Sequence, residues 1–227
     1  MTDVVETSTS YGLGRWHVDR PERRPRAVLA LGHGAGGGVD AADLMVLAST
    51  LSAAGVVVAR FEQPWRVAGR RIAPAGAQLD TAWSEAVASE SALGGGSLPL
   101  LVGGRSAGAR VACRTAVPLG AVGVVALAFP LHPPGRPDRS RAGELPRLPV
   151  LVVQGDRDAF GSADEIRAST VGTRGLALVD VPGGDHALRV PRAGPLTQAE
   201  ADEIVGLAVR RWVLARVRGN LRRSPRR

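Results

Sequence analysis

The chain has 227 residues, 44% of them hydrophobic, which suits one domain with a buried core and excludes a disordered chain. Its single cysteine, Cys113, excludes a disulfide scaffold and indicates a reducing compartment. The net charge is +8, but six of the 29 basic residues, all arginines, lie within the last twelve residues, and this predicts a solvated tail rather than a nucleic-acid-binding arm.

Short apolar segments alternate with longer amphipathic segments along the chain. The apolar segments predict strands at Ala27–Leu31, Val56–Phe61, Leu98–Val102, Ala121–Phe129, Val150–Val153 and Leu176–Val181. The amphipathic segments predict helices at Ala41–Ala54, Gln78–Leu93, Ala107–Val117, Ala163–Thr170 and Gln198–Val217. This alternation is typical of an α/β protein that has a mostly parallel central sheet with helices on both faces.

The two ends of the chain carry weaker signals. Tyr11–Val18 favours an edge strand, whereas Val4–Ser10 is predicted to be a frayed end. Before the last helix, Thr197 and Glu200 have the spacing of a capping box. Beyond that helix, residues 219–227 are predicted to form a disordered basic tail, and the full chain is predicted to be one domain.

The strongest chemical signal is GGRSAGAR, Gly103 to Arg110. It contains the pattern G-x-S-x-G, in which a serine occupies a sharp turn from a strand into a helix, and flanking glycines let neighbouring backbone approach. The predicted strand before this motif and the predicted helix after it supply the required context. We therefore predict that Ser106 is a nucleophile; the alternative is a glycine-rich turn that happens to contain a serine.

A second glycine-rich segment, LGHGAGGGVD from Leu31 to Asp40, continues the first of these predicted strands. Backbone N–H groups in such a loop stabilise the negative charge that develops on a carbonyl oxygen during acyl transfer. The predicted donors are the N–H of Ala35, or failing it of Gly36, and the N–H of Ala107. The P-loop pattern requires a lysine after its last glycine, and the chain has no lysine, which excludes a P-loop. His33 is expected to brace the loop.

An acid and a base follow two later strands. Asp156 and Asp158 come after the strand Val150–Val153, at the edge of a parallel sheet where catalytic groups collect. The residues alone leave open which aspartate is the acid and which only shapes the turn. His186 follows the final strand, and of the four histidines it alone satisfies the chain order serine, acid, histidine.

Two segments are candidates for the walls of a substrate pocket. In FEQPWR, Trp65 could line an acyl pocket and Arg66 could meet an anionic group. Bracing of the loop is favoured instead, with Glu62 and Arg66 paired to each other or to Arg70 and Arg71 nearby. The proline-rich and arginine-rich segment 131–147 could fold over the site and favour anionic substrates, or remain a solvated loop. Arg105, beside the serine, is expected to form a structural ion pair.

These motifs together carry a resemblance to a known family. From about residue 27 to 212 the chain resembles small bacterial α/β-hydrolases, and more narrowly the group of testis-expressed protein 30 and the hydrolase-like subunit of the non-specific-lethal complex. That group tends to show stretches similar to GHGAGG, FEQPWR, GGRSAGAR, AFPLHPPG and QGDRDxFG, all present here. The resemblance implies an α/β-hydrolase fold with a short lid or none. It also implies that Asp158 is the acid, because the acid in such families lies three residues after the strand's closing glycine, here Gly155.

The sequence therefore predicts a serine hydrolase that cleaves an ester or thioester through an acyl-enzyme, with Ser106, His186 and Asp158 as its triad. No metal or organic cofactor is implied, and the expected partner is a small-molecule substrate rather than a membrane or a nucleic acid. The alternative is a catalytically silent binding or scaffold protein with a hydrolase fold. The chain has no recognisable secretory signal, so a cytoplasmic location is expected. The sequence does not predict the acyl group or the oligomeric state.

Overall fold

The computed structural model describes residues 2–89 and 98–223, within which eight strands form one sheet. The strands are β1 (Thr2–Thr9), β2 (Gly12–Asp19), β3 (Ala27–Gly32), β4 (Val56–Glu62), β5 (Leu100–Arg105), β6 (Val124–Leu127), β7 (Val150–Gly155) and β8 (Leu176–Val181). The helices are α1 (Ala42–Ala53), α2 (Pro64–Val67), α3 (Gly76–Ala88), α4 (Ala107–Thr115), α5 (Ala163–Ser169) and α6 (Gln198–Arg223). A short 3₁₀-helix covers Ala142–Glu144.

The strand order is β1-β2-β4-β3-β5-β6-β7-β8. The pairs β1–β2 and β2–β4 are antiparallel, and all other pairs in the sheet are parallel. Strands β3, β6 and β7 are buried along their whole length, which explains their continuous apolar sequences. This architecture confirms the predicted α/β-hydrolase fold with a mostly parallel sheet.

Helices cover both faces of the sheet and enclose two apolar clusters. On one face, α3 and α4 pack over a cluster that includes Trp16, Phe61 and Trp83, and the ring centroids of Trp16 and Phe61 lie 4.8 Å apart. On the other face, leucines of α1 such as Leu47 belong to the same apolar cluster as an alanine and several valines of α6, among them Val209. The active-site candidates lie between these layers, at the carboxyl edge of the parallel strands.

The prediction of a frayed start was wrong. Residues 2–9 form β1, which pairs with β2 through a complete antiparallel register from Thr2↔Asp19 to Thr9↔Gly12. The strand carries mostly polar residues, but Thr7 is buried and Val5 packs against the cluster that contains Trp16. The turn after the strand is also held, because the backbone N–H of Ser10 donates to Glu85 at 2.7 Å. Pairing with β2, rather than local hydrophobicity, therefore orders this segment.

The last helix begins as predicted and ends later. Thr197 and Glu200 form the capping box: the Thr197 N–H donates to the Glu200 carboxylate at 2.7 Å, and the Glu200 N–H donates to the Thr197 hydroxyl at 3.3 Å. The helix continues to Arg223, inside the segment predicted as a tail. Arginine and leucine favour helix, and the next proline is Pro225, which lies outside the described residues. Part of the predicted helix Gln78–Leu93 also lies outside them.

Two further general features of the chain are visible in the structure. Among the described residues, no helix is both long and apolar enough to cross a membrane.

Cys113 lies in α4 at 2% exposure, and burial raises the pKa of its thiol to about 12. This thiol is therefore protonated at neutral pH and packs as a small apolar side chain.

Candidate active site

Ser106 stands at the turn between β5 and α4 in a strained backbone conformation. Its φ is 54° and its ψ is −114°, a region that side chains other than glycine rarely adopt. The flanking glycines are required by close packing: a Cβ on Gly104 would lie 2.4 Å from the carbonyl oxygen of Gly32, and one on Gly108 would lie 2.2 Å from the same atom. The two glycines thus let the end of β3 approach the turn that presents the serine.

The structure brings the three predicted triad side chains into contact. Ser106 Oγ lies 2.9 Å from His186 Nε2, and His186 Nδ1 lies 2.8 Å from Asp158 Oδ2. Because an ionised carboxylate only accepts hydrogen bonds, Nδ1 carries the proton and donates it to Asp158. Nε2 is then the basic nitrogen and accepts from the serine hydroxyl. The arrangement can remove a proton from Ser106 while the carboxylate compensates the charge formed on the imidazole.

Asp158 is held in place by contacts that were not predicted. Its side chain is buried, Oδ2 accepts a hydrogen bond from Gln154 Nε2 at 2.8 Å, and Oδ1 accepts from the backbone N–H of Phe160 at 2.8 Å. The ring of Phe160 also stacks on the imidazole of His186, with centroids 4.1 Å apart. A signal was available for Gln154, because it is a polar residue inside the apolar strand VLVVQG and a buried amide needs partners.

Asp156 has a different role from the one expected of it. Its Oδ1 accepts a hydrogen bond at 2.8 Å from the backbone N–H of Gly183, in the turn after β8. The bond to the backbone two residues further on, which is typical of an aspartate that shapes a turn, is made by Asp158, which accepts from the N–H of Phe160. The reason is the topology. Because β7 and β8 are parallel neighbours, the loop after β7, which starts with the exposed Asp156, begins beside the loop after β8. Asp156 therefore braces the loop that leads to His186.

The glycine-rich loop after β3 is held by His33. Its Nδ1 lies 2.8 Å from the carbonyl oxygen of Gly34, to which it donates, and its Nε2 accepts from the backbone N–H of Gln63 at 3.2 Å. Nε2 can accept its bond only in the neutral ring, and burial lowers the pKa of His33 in the same sense. His33 thus connects the loop to the segment after β4, as expected of a bracing residue.

The predicted oxyanion donors border one small cavity. Ala107 is the first residue of α4, so its N–H has no acceptor within the helix. Ala35 and Ala107 both line the cavity, which lies against Gly32 and Gly108. The N–H groups of these alanines are thus candidates for binding a carbonyl oxygen beside Ser106.

Of the predicted pocket residues, the structure places only Trp65 on this cavity. Trp65 is buried in α2, and its ring lies 5.7 Å from that of His33. The guanidinium of Arg66 lies 5.9 Å from the centre of the Trp65 ring and does not line the cavity. Glu62 faces His17 at 3.4 Å, so within the described residues the expected bracing pair with Arg66 is not observed. Gly36 is exposed and lies outside the lining.

Arg105 forms the expected ion pair beside the serine and also reaches the loop of the base. Its Nε lies 3.4 Å from Oδ2 of Asp43 in α1, and its Nη2 donates a hydrogen bond at 2.9 Å to the backbone carbonyl of His186. Asp43 is buried, and burial raises the pKa of its carboxyl against the attraction of Arg105. The guanidinium thus connects the backbone of His186 to Asp43 in α1.

The segment 131–147 is fastened to α4. Arg110 donates two hydrogen bonds to the carboxylate of Glu144, at 2.6 and 2.8 Å, and Arg114 donates a third at 2.8 Å. Of the arginines within the segment, Arg136 pairs with Asp138 and Arg141 donates to a backbone carbonyl. The segment is therefore packed against the helix through its own carboxylate.

Groups of three or more histidine, cysteine, aspartate or glutamate side chains that could hold a metal ion are absent from residues 2–89 and 98–223.

Comparisons with known proteins identify the family. The model of the alpha/beta hydrolase domain family matches residues 25–213. No curated protein sequence matches the chain.

Solved structures share the fold at low sequence identity. XC6422 from Xanthomonas campestris, an α/β serine hydrolase without a lid, is 20% identical with a TM-score of 0.71 over 93% of this chain and 94% of its own. Est1E from Butyrivibrio proteoclasticus is 16% identical with a TM-score of 0.74 over 94% and 98%. A dienelactone hydrolase from Anabaena variabilis is 17% identical with a TM-score of 0.71 over 95% and 97%.

Proposed function

The chain belongs to the alpha/beta hydrolase domain family, and on this premise we propose that it is a serine hydrolase that cleaves an ester or thioester through an acyl-enzyme. The observation that carries the proposal is the continuous contact from Ser106 through His186 to Asp158, with distances of 2.9 and 2.8 Å. A serine hydrolase (XC6422) and a dienelactone hydrolase among the structural neighbours support the same class of reaction.

The mechanism follows from the positions of these groups. Ser106 Oγ attacks the carbonyl carbon of the substrate while His186 Nε2 takes its proton, and Asp158 holds the imidazolium that forms. The carbonyl oxygen becomes negatively charged and is bound by the N–H groups of Ala35 and Ala107. When the carbonyl re-forms, the alcohol or thiol leaves with the proton from Nε2. Water then attacks the acyl-serine by the same route and releases the acid.

The proposal also covers the narrower assignments. The five motifs described from the sequence support membership of the group of testis-expressed protein 30, and the contact between Ser106 and His186 supports carboxylesterase or thioesterase activity. A single buried cysteine supports a cytoplasmic location. The reaction as written needs no metal or organic cofactor.

Trapping the acyl-enzyme tests the proposal directly. Mixing the protein with p-nitrophenyl acetate, quenching in acid and digesting it should give an acetylated peptide that contains Ser106, because the acyl group resides there between the two half-reactions. Mass spectrometry of the digest is the measurement. An acetyl group on a peptide without Ser106 would move the nucleophile elsewhere. Absence of both acetylation and fluorophosphonate labelling would favour the silent scaffold protein.

Arg105 should affect the rate more than substrate binding. In Arg105→Lys the positive charge beside Asp43 remains, but one ammonium group cannot also reach the carbonyl of His186. We expect kcat to fall about 10- to 100-fold with KM nearly unchanged, since a hydrogen bond from a charged group contributes about 1.5–3 kcal/mol. Steady-state kinetics with thermal unfolding as a check for folding measure this. Arg110→Lys is the matched control, because Arg110 lies in α4 and is bonded to Glu144. A rise in KM with unchanged kcat would instead make Arg105 a substrate contact.

A further inference from the structure

A small cavity adjoins the predicted oxyanion donors. Trp65, Leu79 and Val111 line the same cavity as Ala35 and Ala107. Its volume is about 10 Å³, the room that one water molecule or one methyl group needs. The wall is mostly apolar, so the space suits a hydrocarbon group rather than a charged one.

We propose that this cavity is the acyl pocket and that the protein acts on acetyl esters or thioesters, in which one methyl group is bonded to the carbonyl carbon. The inference rests on the proposed function. The oxygen and the first carbon of the acyl chain are both bonded to the carbonyl carbon that Ser106 attacks. An oxygen bound by the N–H groups of Ala35 and Ala107 therefore places that first carbon next to the cavity that both alanines line.

The walls of the cavity belong to the packed core and resist enlargement. Trp65, Leu79 and Val111 are 5%, 8% and 2% exposed, and all three belong to the apolar cluster that covers one face of the sheet. Side chains in a closely packed interior have little room to move, and a longer acyl chain would force them out of their preferred rotamers. The methyl group of an acetyl ester fits the cavity, whereas the chain of a hexanoyl ester requires displacement of these residues.

The test is a chain-length series. For the p-nitrophenyl esters of acetate, propionate, butyrate, hexanoate and octanoate, kcat/KM of the wild-type protein should fall at least about tenfold between acetate and butyrate, because one excess methylene in an apolar pocket changes the rate by about 10- to 200-fold. Leu79→Ala enlarges the cavity and should raise the hexanoate-to-acetate ratio of kcat/KM about tenfold. Ala73→Leu, at a half-buried position on the same wall, should lower the propionate-to-acetate ratio.

Leu47→Ala is the matched control. It removes the same atoms from a buried leucine in α1, on the opposite face of the sheet, and should leave the ratio unchanged even where stability falls. A flat chain-length profile in the wild-type protein, or an unchanged ratio in both pocket variants, would overturn the acyl-pocket inference while the proposed function stands. Failure to hydrolyse any ester, together with failure of a fluorophosphonate to label Ser106, would overturn the proposed function itself.

Discussion

Ser106→Ala should lower ester turnover by about 10⁶-fold, the loss expected when the nucleophile of a catalytic triad is removed. The effect is large because Ser106 Oγ is the atom that forms the acyl bond, and His186 Nε2, 2.9 Å away, has no other proton to take in this step. His186→Ala should cause a loss of similar size, since the members of a triad act as one unit. The double variant should be no slower than either single variant.

The measurement combines turnover of p-nitrophenyl acetate with fluorophosphonate labelling and thermal unfolding. Wild type should be labelled and Ser106→Ala should not, with the unfolding temperature nearly unchanged. His17→Gln is the control for replacing a histidine, because His17 lies in β2 and contacts Glu62, and its activity should remain close to that of wild type. Equal labelling of wild type and Ser106→Ala would place the reactive nucleophile at another residue.

The parts of this site that could be predicted from the sequence are those encoded locally. A strand, a G-x-S-x-G turn and a helix follow one another directly along the chain, so neighbouring residues suffice to predict the position of Ser106. Asp158 and His186 each follow a strand, and parallel strands bring their carboxyl ends to the same edge. The order serine, acid, histidine along the chain then identifies the three residues, although the sequence gives no distance between them. Their role in catalysis stays a prediction.

The supporting contacts could not be predicted because they join residues far apart in the chain. Arg105 meets the carbonyl of His186 across 81 positions, and no local pattern encodes that bond. The same holds for β1, whose polar sequence becomes a strand only through its pairing with β2. The position of Gln154, a polar residue within an apolar strand, indicates that its amide needs a buried partner. The sequence does not indicate that this partner is Asp158.

The geometry of the two aspartates after β7 leads to the second large prediction. Asp158 is buried, and both of its carboxylate oxygens lie within 3.0 Å of His186 Nδ1, whereas Asp156 is exposed and bonds the backbone of Gly183. Asn in place of Asp158 keeps the shape of the side chain but can present an N–H to the imidazole. Nδ1 would then accept a hydrogen bond, so that the ring proton moves to Nε2, which can no longer receive the proton of Ser106.

Asp158→Asn should therefore lower kcat by about 10⁴-fold, the loss that follows when the imidazole is held in the wrong tautomer. Asp156→Asn is the matched control: an amide oxygen still accepts from Gly183, so most activity should remain. Asp156→Ala removes that acceptor and should lower the free energy of unfolding by about 1 kcal/mol. Steady-state kinetics and denaturant titration of the three variants measure these effects. If Asp156→Asn were the slow variant, the acid would lie two residues earlier in the chain. If neither asparagine variant slowed the reaction, the carboxylate next to His186 would have no part in orienting it, and the proton transfer from Ser106 would depend on His186 alone.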